Sequence, residues 1–266
     1  DADGDPIFNG VLSGFIQTKL IIPQKADILE SGSGMKLAQI HTSGEGTAII
    51  LPGGLISKIL NHEVKRRNFP TRASHLPSER VARISKHTIR EIVQKSLEHL
   101  HFIRRLPFLY LYPLPRGTKS IFNFRIDTDF ASAKEIDSFY QLCLNHDIPA
   151  TWFVETKSSR DRIGQFTRMQ NQEIGLHCYD HKVTNNYFFN KSDINKGTNI
   201  LNKVNIPLYG YAAPYGEWNV SLAQAIESGD FIYSSEFTLD YDNLPYYPYF
   251  NGNFSSVLQV PVHPIS

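Results

Sequence analysis

Two histidines four residues apart, His177 and His181, are the first residues of this chain whose types and spacing suggest chemistry. They lie in the stretch EIGLHCYDHK, directly after a short apolar run. Imidazoles at this spacing can meet on one side of a helical turn or tight loop and share a metal ion. Such pairs also arise by chance in a chain with 10 histidines. The metal hypothesis therefore depends on ligands supplied by other segments.

Two aspartates at the end of another predicted strand can complete such a site. Asp127 and Asp129 end the stretch SIFNFRIDTD, and in an extended chain residues two apart point to the same side. One carboxylate and two neutral imidazoles are a familiar ligand set for a catalytic Zn²⁺-type ion. The second carboxylate is then free to act as a general base toward water. The alternative is a turn or helix cap, in which Asp-Thr-Asp is common.

Further candidates follow later predicted strands. His263, in VPVHP, is placed to protonate a leaving group, although it also reads as a structural strand end between two prolines. Pro214 and Trp218, in APYGEWN, are candidates for lining a substrate groove. Trp152 is expected in the core rather than in a binding site. Cys178 is expected to be a small buried residue rather than a ligand.

The elements that position these residues alternate between strand and helix from Ser120 onward. This alternation predicts a parallel sheet with crossover helices. Polar clusters come directly after the strands, and a barrel gathers all its strand ends around one pocket. We therefore predict an α/β fold, a distorted and incomplete (β/α) barrel, rather than an open doubly wound sheet. The six predicted strands lie in SIFNFRIDTD, IPATWFVET, EIGLHCYDH, IPLYGYAAPYGEWN, DFIYSSEF and SSVLQVPVHP.

The part of the chain before Ser120 has a different pattern of predicted elements. KLAQIHTSGEGTAIILP predicts two strands joined by the turn Ser43–Gly46, and GLISKILNHEVKRR predicts a helix. A second helix is predicted from Pro77 to Ile103, with Ser78 as a cap near its start. We expect two parts: an N-terminal α/β appendage with a helical segment at 1–105, and the barrel at 106–266.

Composition excludes several classes of function. Lys and Arg number 27 against 26 Asp and Glu, so no overall field favours nucleic acid, and no nucleic-acid-binding motif is present. The sequence has no apolar run of about 18 residues, so no membrane span is predicted. With only 2 cysteines, a disulfide framework is not expected.

Residues 120–266 resemble the polysaccharide deacetylase superfamily, which includes chitin and peptidoglycan deacetylases. The resemblance rests on five segments in the family's order: NFRIDTDF, PATWFV, EIGLHCYDH, GYAAPYGEWN and VPVHP. It implies a distorted seven-stranded β/α barrel and favours the cell envelope or another extracytoplasmic location. Residues 1–56 bear a fainter resemblance, in GEGTAIILPGGL, to the tail of a class I glutamine-amidotransferase-like domain.

The resemblance also implies roles for individual residues. Asp127 is the expected base and His263 the general acid, and backbone around Tyr215 stabilises the oxyanion. The expected cofactor is a divalent metal ion, Zn²⁺ first and Co²⁺ or Ni²⁺ as alternatives. The expected reaction is hydrolysis of the N-acetyl group of a sugar or polysaccharide, releasing acetate and leaving an amine. The implied metal ligands are Asp129, His177 and His181.

The sequence departs from the family pattern at two places. Ala212 stands where the family usually has an arginine that orients the base, and the family's aspartate–tryptophan motif has no clear counterpart in SSEFTLDYDN. Two alternatives therefore stay open. One is a deformylase or other C–N hydrolase that acts on a small or lipid-linked substrate. The other is a non-catalytic glycan-binding relative, favoured by Ala212 and opposed by retention of all the other implied site residues.

Overall fold

A computed structural model describes residues 39–68, 78–111, 114–118, 120–241 and 243–262. The chain divides into two compact units, Asp1–Arg66 with Ala82–Pro113, and Arg67–Val81 with Leu114–Ser266. The predicted domain boundary at residue 105 stays a prediction. The segment that carries the fainter N-terminal resemblance, residues 44–55, lies within the described residues, and that resemblance stays a prediction.

The first unit contains the predicted hairpin. Strands β1 (Gln39–Ser43) and β2 (Gly46–Ile50) pair antiparallel, with Ser43 opposite Gly46. Gly44 in the turn has a φ of 56°, a left-handed conformation that glycine adopts without steric cost. A 3₁₀ helix follows at Ile56–Leu60.

Two helix predictions in this part of the chain were wrong in extent. The predicted helix in GLISKILNHEVKRR stops at Leu60, where the Asn61 side chain accepts a hydrogen bond from Glu63 N and turns the chain. Strands β3 (Val64–Asn68) and β4 (Ser78–Ala82) come next and pair with each other.

The second predicted helix starts later than the sequence suggested. It is α1 (Lys86–Ile103), and Ser85 rather than Ser78 is its cap, since the Ser85 side chain accepts from Thr88 N at 3.3 Å. Its apolar side packs Ile89 and Ile92 against Leu55.

The second unit is built on a parallel sheet of six strands, as predicted. The sheet strands are β5 (Arg125–Asp127), β6 (Thr151–Glu155), β7 (Glu173–Cys178), β8 (Gly210–Tyr211), β9 (Tyr233–Ser234) and β12 (Leu258–Gln259). A separate antiparallel pair is formed by β10 (Tyr249–Phe250) and β11 (Asn253–Phe254). The helices of this unit are α2 (Ala133–Asn145), α3 (Tyr187–Asn202) and α4 (Val220–Glu227). Two 3₁₀ helices lie at Arg160–Arg168 and at Pro214–Gly216.

The order of the strands decides between the two architectures considered. It runs β5, β6, β7, β8, β9, β12 in one direction across the sheet, and every neighbouring pair is parallel. A barrel wall is wound in this way, whereas a doubly wound sheet reverses its order at a switch point. Among the described strands, β5 and β12 are the edges of the sheet. The fold is therefore a mixed α/β fold with an incomplete barrel.

The core of this unit lies between the sheet and its helices. All five residues of β6 are buried, as expected for a central parallel strand, and Trp152 is among the largest fully buried side chains. Helix α3 can lie close to β7 because a Cβ at Gly197 would stand 2.6 Å from Leu176 Cδ1. None of the described helices is both long and apolar enough to cross a membrane.

Candidate metal centre

Three of the predicted site residues converge at the carboxyl edge of the sheet. Asp129 follows β5, His177 lies in β7 and His181 follows β7, and their ligand atoms all lie within 4.8 Å of one another. His177 Nε2 is 2.9 Å from Asp129 Oδ1, and His181 Nε2 is 3.1 Å from Asp129 Oδ2. Each imidazole therefore presents the same ring nitrogen to one carboxylate.

The tautomer of His177 follows from its second nitrogen. His177 Nδ1 lies 2.7 Å from the carbonyl oxygen of Ala212. A carbonyl only accepts, so Nδ1 carries the proton and donates it. In the neutral ring Nε2 then keeps its lone pair, which is the form in which an imidazole binds a metal ion.

Two buried atoms of the cluster have no hydrogen-bond partner within the described part of the chain. They are His177 Nε2 and Asp129 Oδ1, which are close to each other but do not meet the geometry of a hydrogen bond. Buried polar atoms are nearly always satisfied, so two lone pairs directed at one place need an explanation. A divalent cation would satisfy both, and the residues present fit such an ion.

The electrostatics of Asp129 favour its ionised form. Burial by itself raises the pKa of this carboxyl, but the neighbouring imidazoles of His177 and His181 outweigh burial and hold the pKa below its ordinary value. A carboxylate that is ionised at neutral pH is ready to bind a cation without first losing a proton.

Hydrogen bonds to neighbouring elements fix the two loops that carry the cluster. Thr128, fully buried beside Asp129, donates through its backbone N to Phe153 O at 3.0 Å and accepts from Glu155 N at 3.2 Å. These two hydrogen bonds hold the end of β5 against β6. On α3, the carboxylate of Asp193 accepts from Tyr179 N at 2.9 Å and from Asp180 N at 2.8 Å. It thereby shapes the turn between the two histidines.

The predicted base, Asp127, is held by an arginine that the sequence analysis missed. Arg125 Nε and Nη2 donate to the two carboxylate oxygens of Asp127 at 2.8 and 2.6 Å. Arg125 Nη1 donates to Ser235 O at 2.6 Å, and its guanidinium lies 5.2 Å from the centre of the Phe153 ring. The signal was present in the sequence, since Arg125 and Asp127 are two apart on one strand and share a face.

Ala212, at the position where the family usually has an arginine, makes a different contact in this chain. Ala212 is buried, and its carbonyl is the acceptor for His177 Nδ1. The next residue, Ala213, donates its backbone N–H to Glu236 Oε1 at 3.2 Å. Glu236 is fully buried, and burial raises its pKa to about 7. Nothing in the sequence had pointed to this glutamate.

The other predicted residues lie at or near this edge with roles that stay predictions. Tyr215 has a φ of 59°, is 62% exposed, and places its ring 4.6 Å from that of His181. Pro214 is buried, and Trp218 is buried in an apolar cluster against Phe250. His263 lies outside the described residues. Cys178 is buried as expected, and burial raises the pKa of its thiol.

Comparison with known proteins agrees with the resemblance seen in the sequence. Residues 129–233 match the model of the family described as polysaccharide deacetylase, which confirms the resemblance over that range. At the level of the family, this match supports a hydrolase. A search of curated protein sequences finds no match.

Similar solved structures come from several bacteria. A protein from Mycobacterium smegmatis assigned to the polysaccharide deacetylases is 20% identical over 53% of this chain and 58% of its own, with a TM-score of 0.44. A family 4 carbohydrate esterase from Streptomyces lividans is 15% identical over 42% of this chain and 60% of its own, with a TM-score of 0.37. A family 4 pseudoenzyme from Bacillus anthracis is 16% identical over 66% of this chain and 69% of its own, with a TM-score of 0.39. The chain thus spans less than two thirds of the length of the first two of these proteins.

Proposed function

We propose that this chain is a metal-dependent hydrolase that removes an acyl group from the nitrogen of a sugar, in the simplest case the N-acetyl group of a glycan. The observation that carries the proposal is the pair of buried, unsatisfied ligand atoms on Asp129 and His177. They lie beside a carboxylate fixed by a bidentate arginine. The match to the polysaccharide deacetylase family supports the choice of substrate class.

Asp129, His177 and His181 would hold the ion, with Zn²⁺ expected first and Co²⁺ or Ni²⁺ as alternatives. When bound, the ion supplies a Lewis acid for the acyl carbonyl and acidifies water. The oxygens of Asp127 keep lone pairs beyond those engaged by Arg125, and its side chain is 32% exposed. Asp127 therefore can accept the proton of the attacking water.

The remaining steps fall to groups near Tyr215 and to His263. The backbone around Tyr215 would stabilise the oxyanion that forms on the carbonyl oxygen. The bond between water oxygen and carbon forms, the carbon–nitrogen bond breaks, and His263 gives a proton to the leaving nitrogen. The products are the free acid, acetate in the simplest case, and an amine on the sugar.

The second candidate is a non-catalytic glycan-binding relative, and Ala212 is the observation that favours it. Loss of the orienting arginine would leave the base free to rotate. In this chain, however, Arg125 makes two hydrogen bonds to the same carboxylate. A rigid bidentate pair is what orientation of a base requires, so this contact supports the enzyme over the binding protein.

The test is metal content by elemental mass spectrometry, followed by an assay for acetate released from N-acetylglucosamine oligomers. The wild type is compared with His177→Ala and with His146→Ala, which removes an exposed histidine at the end of α2. We expect about one metal ion per chain in the wild type and in His146→Ala, and none in His177→Ala. A wild type that stays empty after addition of Zn²⁺, Co²⁺ and Ni²⁺ would contradict the proposal. Metal binding without acetate release would favour the binding protein.

A further inference from the structure

We propose that Glu236 is a positioning residue that acts on the metal ligand His177 through the peptide unit between Ala212 and Ala213. The inference rests on the metal-dependent function proposed above. It assigns a role to a buried carboxyl that the reaction itself does not use.

The two ends of one peptide group carry the argument. Its carbonyl oxygen, on Ala212, accepts from His177 Nδ1 at 2.7 Å. Its N–H, on Ala213, donates to Glu236 Oε1 at 3.2 Å. All four residues are buried, so water does not compete for either hydrogen bond. The carboxyl, the peptide and the imidazole therefore form one continuous chain that ends at His177 Nε2.

Such a series of hydrogen bonds transmits polarisation from the carboxyl group to the imidazole. A carboxylate at the N–H end of a peptide group draws the proton toward itself and increases the electron density on the carbonyl oxygen. A stronger acceptor holds the imidazole N–H more firmly and makes the opposite ring nitrogen a better donor to a metal ion. Metal-binding histidines usually donate their second N–H directly to a carboxylate or a backbone carbonyl. In this chain the carbonyl is itself polarised by a carboxylate.

Packing alone does not account for Glu236. Its second oxygen, Oε2, is buried with no hydrogen-bond partner within the described part of the chain. Burial raises the pKa of Glu236 to about 7, and the nearby charge of Arg125 works against that rise. A buried carboxyl with one unsatisfied oxygen is unfavourable for folding, so its presence beside the metal ligands points to a role other than stability.

The experiment compares Zn²⁺ dissociation constants of the full chain, measured by competition with a chelating dye. Glu236→Gln keeps the volume and an acceptor for Ala213 N–H but removes the charge. The matched control is Glu155→Gln, a buried glutamate whose carboxylate instead accepts from Lys157 N and Ser158 N. We expect the dissociation constant to rise about three- to tenfold in Glu236→Gln, less than the 10- to 100-fold typical of a direct contact. In Glu155→Gln it should stay within about twofold of the wild type.

The outcomes separate this inference from the proposed function. A wild type that binds Zn²⁺ and a Glu236→Gln variant of equal affinity would overturn the role of Glu236 and leave the hydrolase proposal standing. Equal weakening in both glutamine variants would also overturn it, because the effect would then reflect general loss of buried charge. A wild type that binds no metal overturns both proposals.

A second measurement needs no variant and applies if Glu236→Gln does not fold. Zn²⁺ on His177 Nε2 would make Nδ1–H a stronger donor to Ala212 O, and the polarised peptide would then donate more strongly to Glu236. We expect the amide proton resonance of Ala213 to move downfield in the wild-type NMR spectrum when Zn²⁺ is added. An unmoved Ala213 resonance, with shifts at His177 itself, would overturn the inference.

Discussion

Asp127 and Asp129 are two residues apart in the chain, yet the regions around them are built in opposite ways. Their side chains are almost equally exposed, 32% and 33%, so desolvation does not distinguish them. Asp127 has a permanent cation, Arg125, on both oxygens. Asp129 faces two imidazoles and keeps one oxygen without a hydrogen bond. The two carboxylates therefore differ in their partners rather than in burial, and this difference agrees with the separate roles proposed for them above.

Asp129→Asn is the change expected to have the largest effect. An amide lacks the charge that a divalent ion requires, so we expect Zn²⁺ affinity to fall at least about 100-fold and hydrolysis to be lost. The measurement is metal content after dialysis together with acetate release. Asp180→Asn is the control, since Asp180 is an exposed aspartate that pairs with Lys157 and precedes His181. Metal retained in full by Asp129→Asn would remove the distinction between the two aspartates.

Asp127→Asn should reduce turnover without reducing metal binding, which distinguishes Asp127 from Asp129. We expect metal content to stay at the wild-type level, because Asp127 is not among the candidate ligands. The turnover number kcat should fall about 10²- to 10⁴-fold with little change in KM, as expected for loss of a general base. Loss of metal in this variant would show that the ligand set had been assigned incorrectly.

Arg125→Lys should have a smaller effect, because it keeps a positive charge but cannot make the two parallel hydrogen bonds to Asp127. We expect kcat to fall about 10- to 100-fold with metal content unchanged. The comparison variant is Arg160→Lys, at an exposed arginine. A kcat within twofold of the wild type would mean that the base is oriented by something other than Arg125.

Glu236→Gln should have the smallest effect on activity and a measurable effect on stability. The pKa of Glu236 is about 7 in the folded chain against an ordinary value of 4.5, so the native state binds its proton more tightly than the unfolded state. Wild-type stability should therefore decline as the pH rises from about 4.5 to about 7, and the glutamine variant should lack this decline. We expect the metal-free variant to gain up to about 3 kcal/mol at pH 8 and nothing at pH 4. Urea unfolding at the two pH values measures this difference in stability. A variant less stable than the wild type at pH 8 would contradict the interpretation of Glu236 as a buried carboxyl with one unsatisfied oxygen.

The sequence predicted the convergence of the three candidate ligands better than their surroundings. Asp129 and His181 follow apolar strands, and His177 lies near the end of one. Parallel strands carry their carboxyl ends to one edge, so the spacing favoured their convergence, and the family resemblance implied the ligand set. Arg125 was missed even though it alternates with Asp127 on the same strand. The partner of His177 had no sequence signal at all, because every residue has a carbonyl. Glu236 contacts the backbone N–H of Ala213 only because β9 lies beside β8.

The helix boundaries show the same limit. Apolar periodicity predicted the body of α1 correctly, but Ser78–Ala82, near the start of the predicted helix, forms β4. Helix period fixes which residues share a face and says little about where the first turn begins. That point is set by the side chain of Ser85, whereas the sequence had suggested Ser78 as the cap.

The sequential strand order has a consequence for how the protein assembles during synthesis. All three candidate ligands belong to the segment from β5 to the loop after β7, which leaves the ribosome before β8, β9 and β12. An ion bound there would join the first and third strands of the sheet across β6. We therefore expect the metal to stabilise the nascent N-terminal half of the sheet, so that the later strands are added to an edge that is already in place.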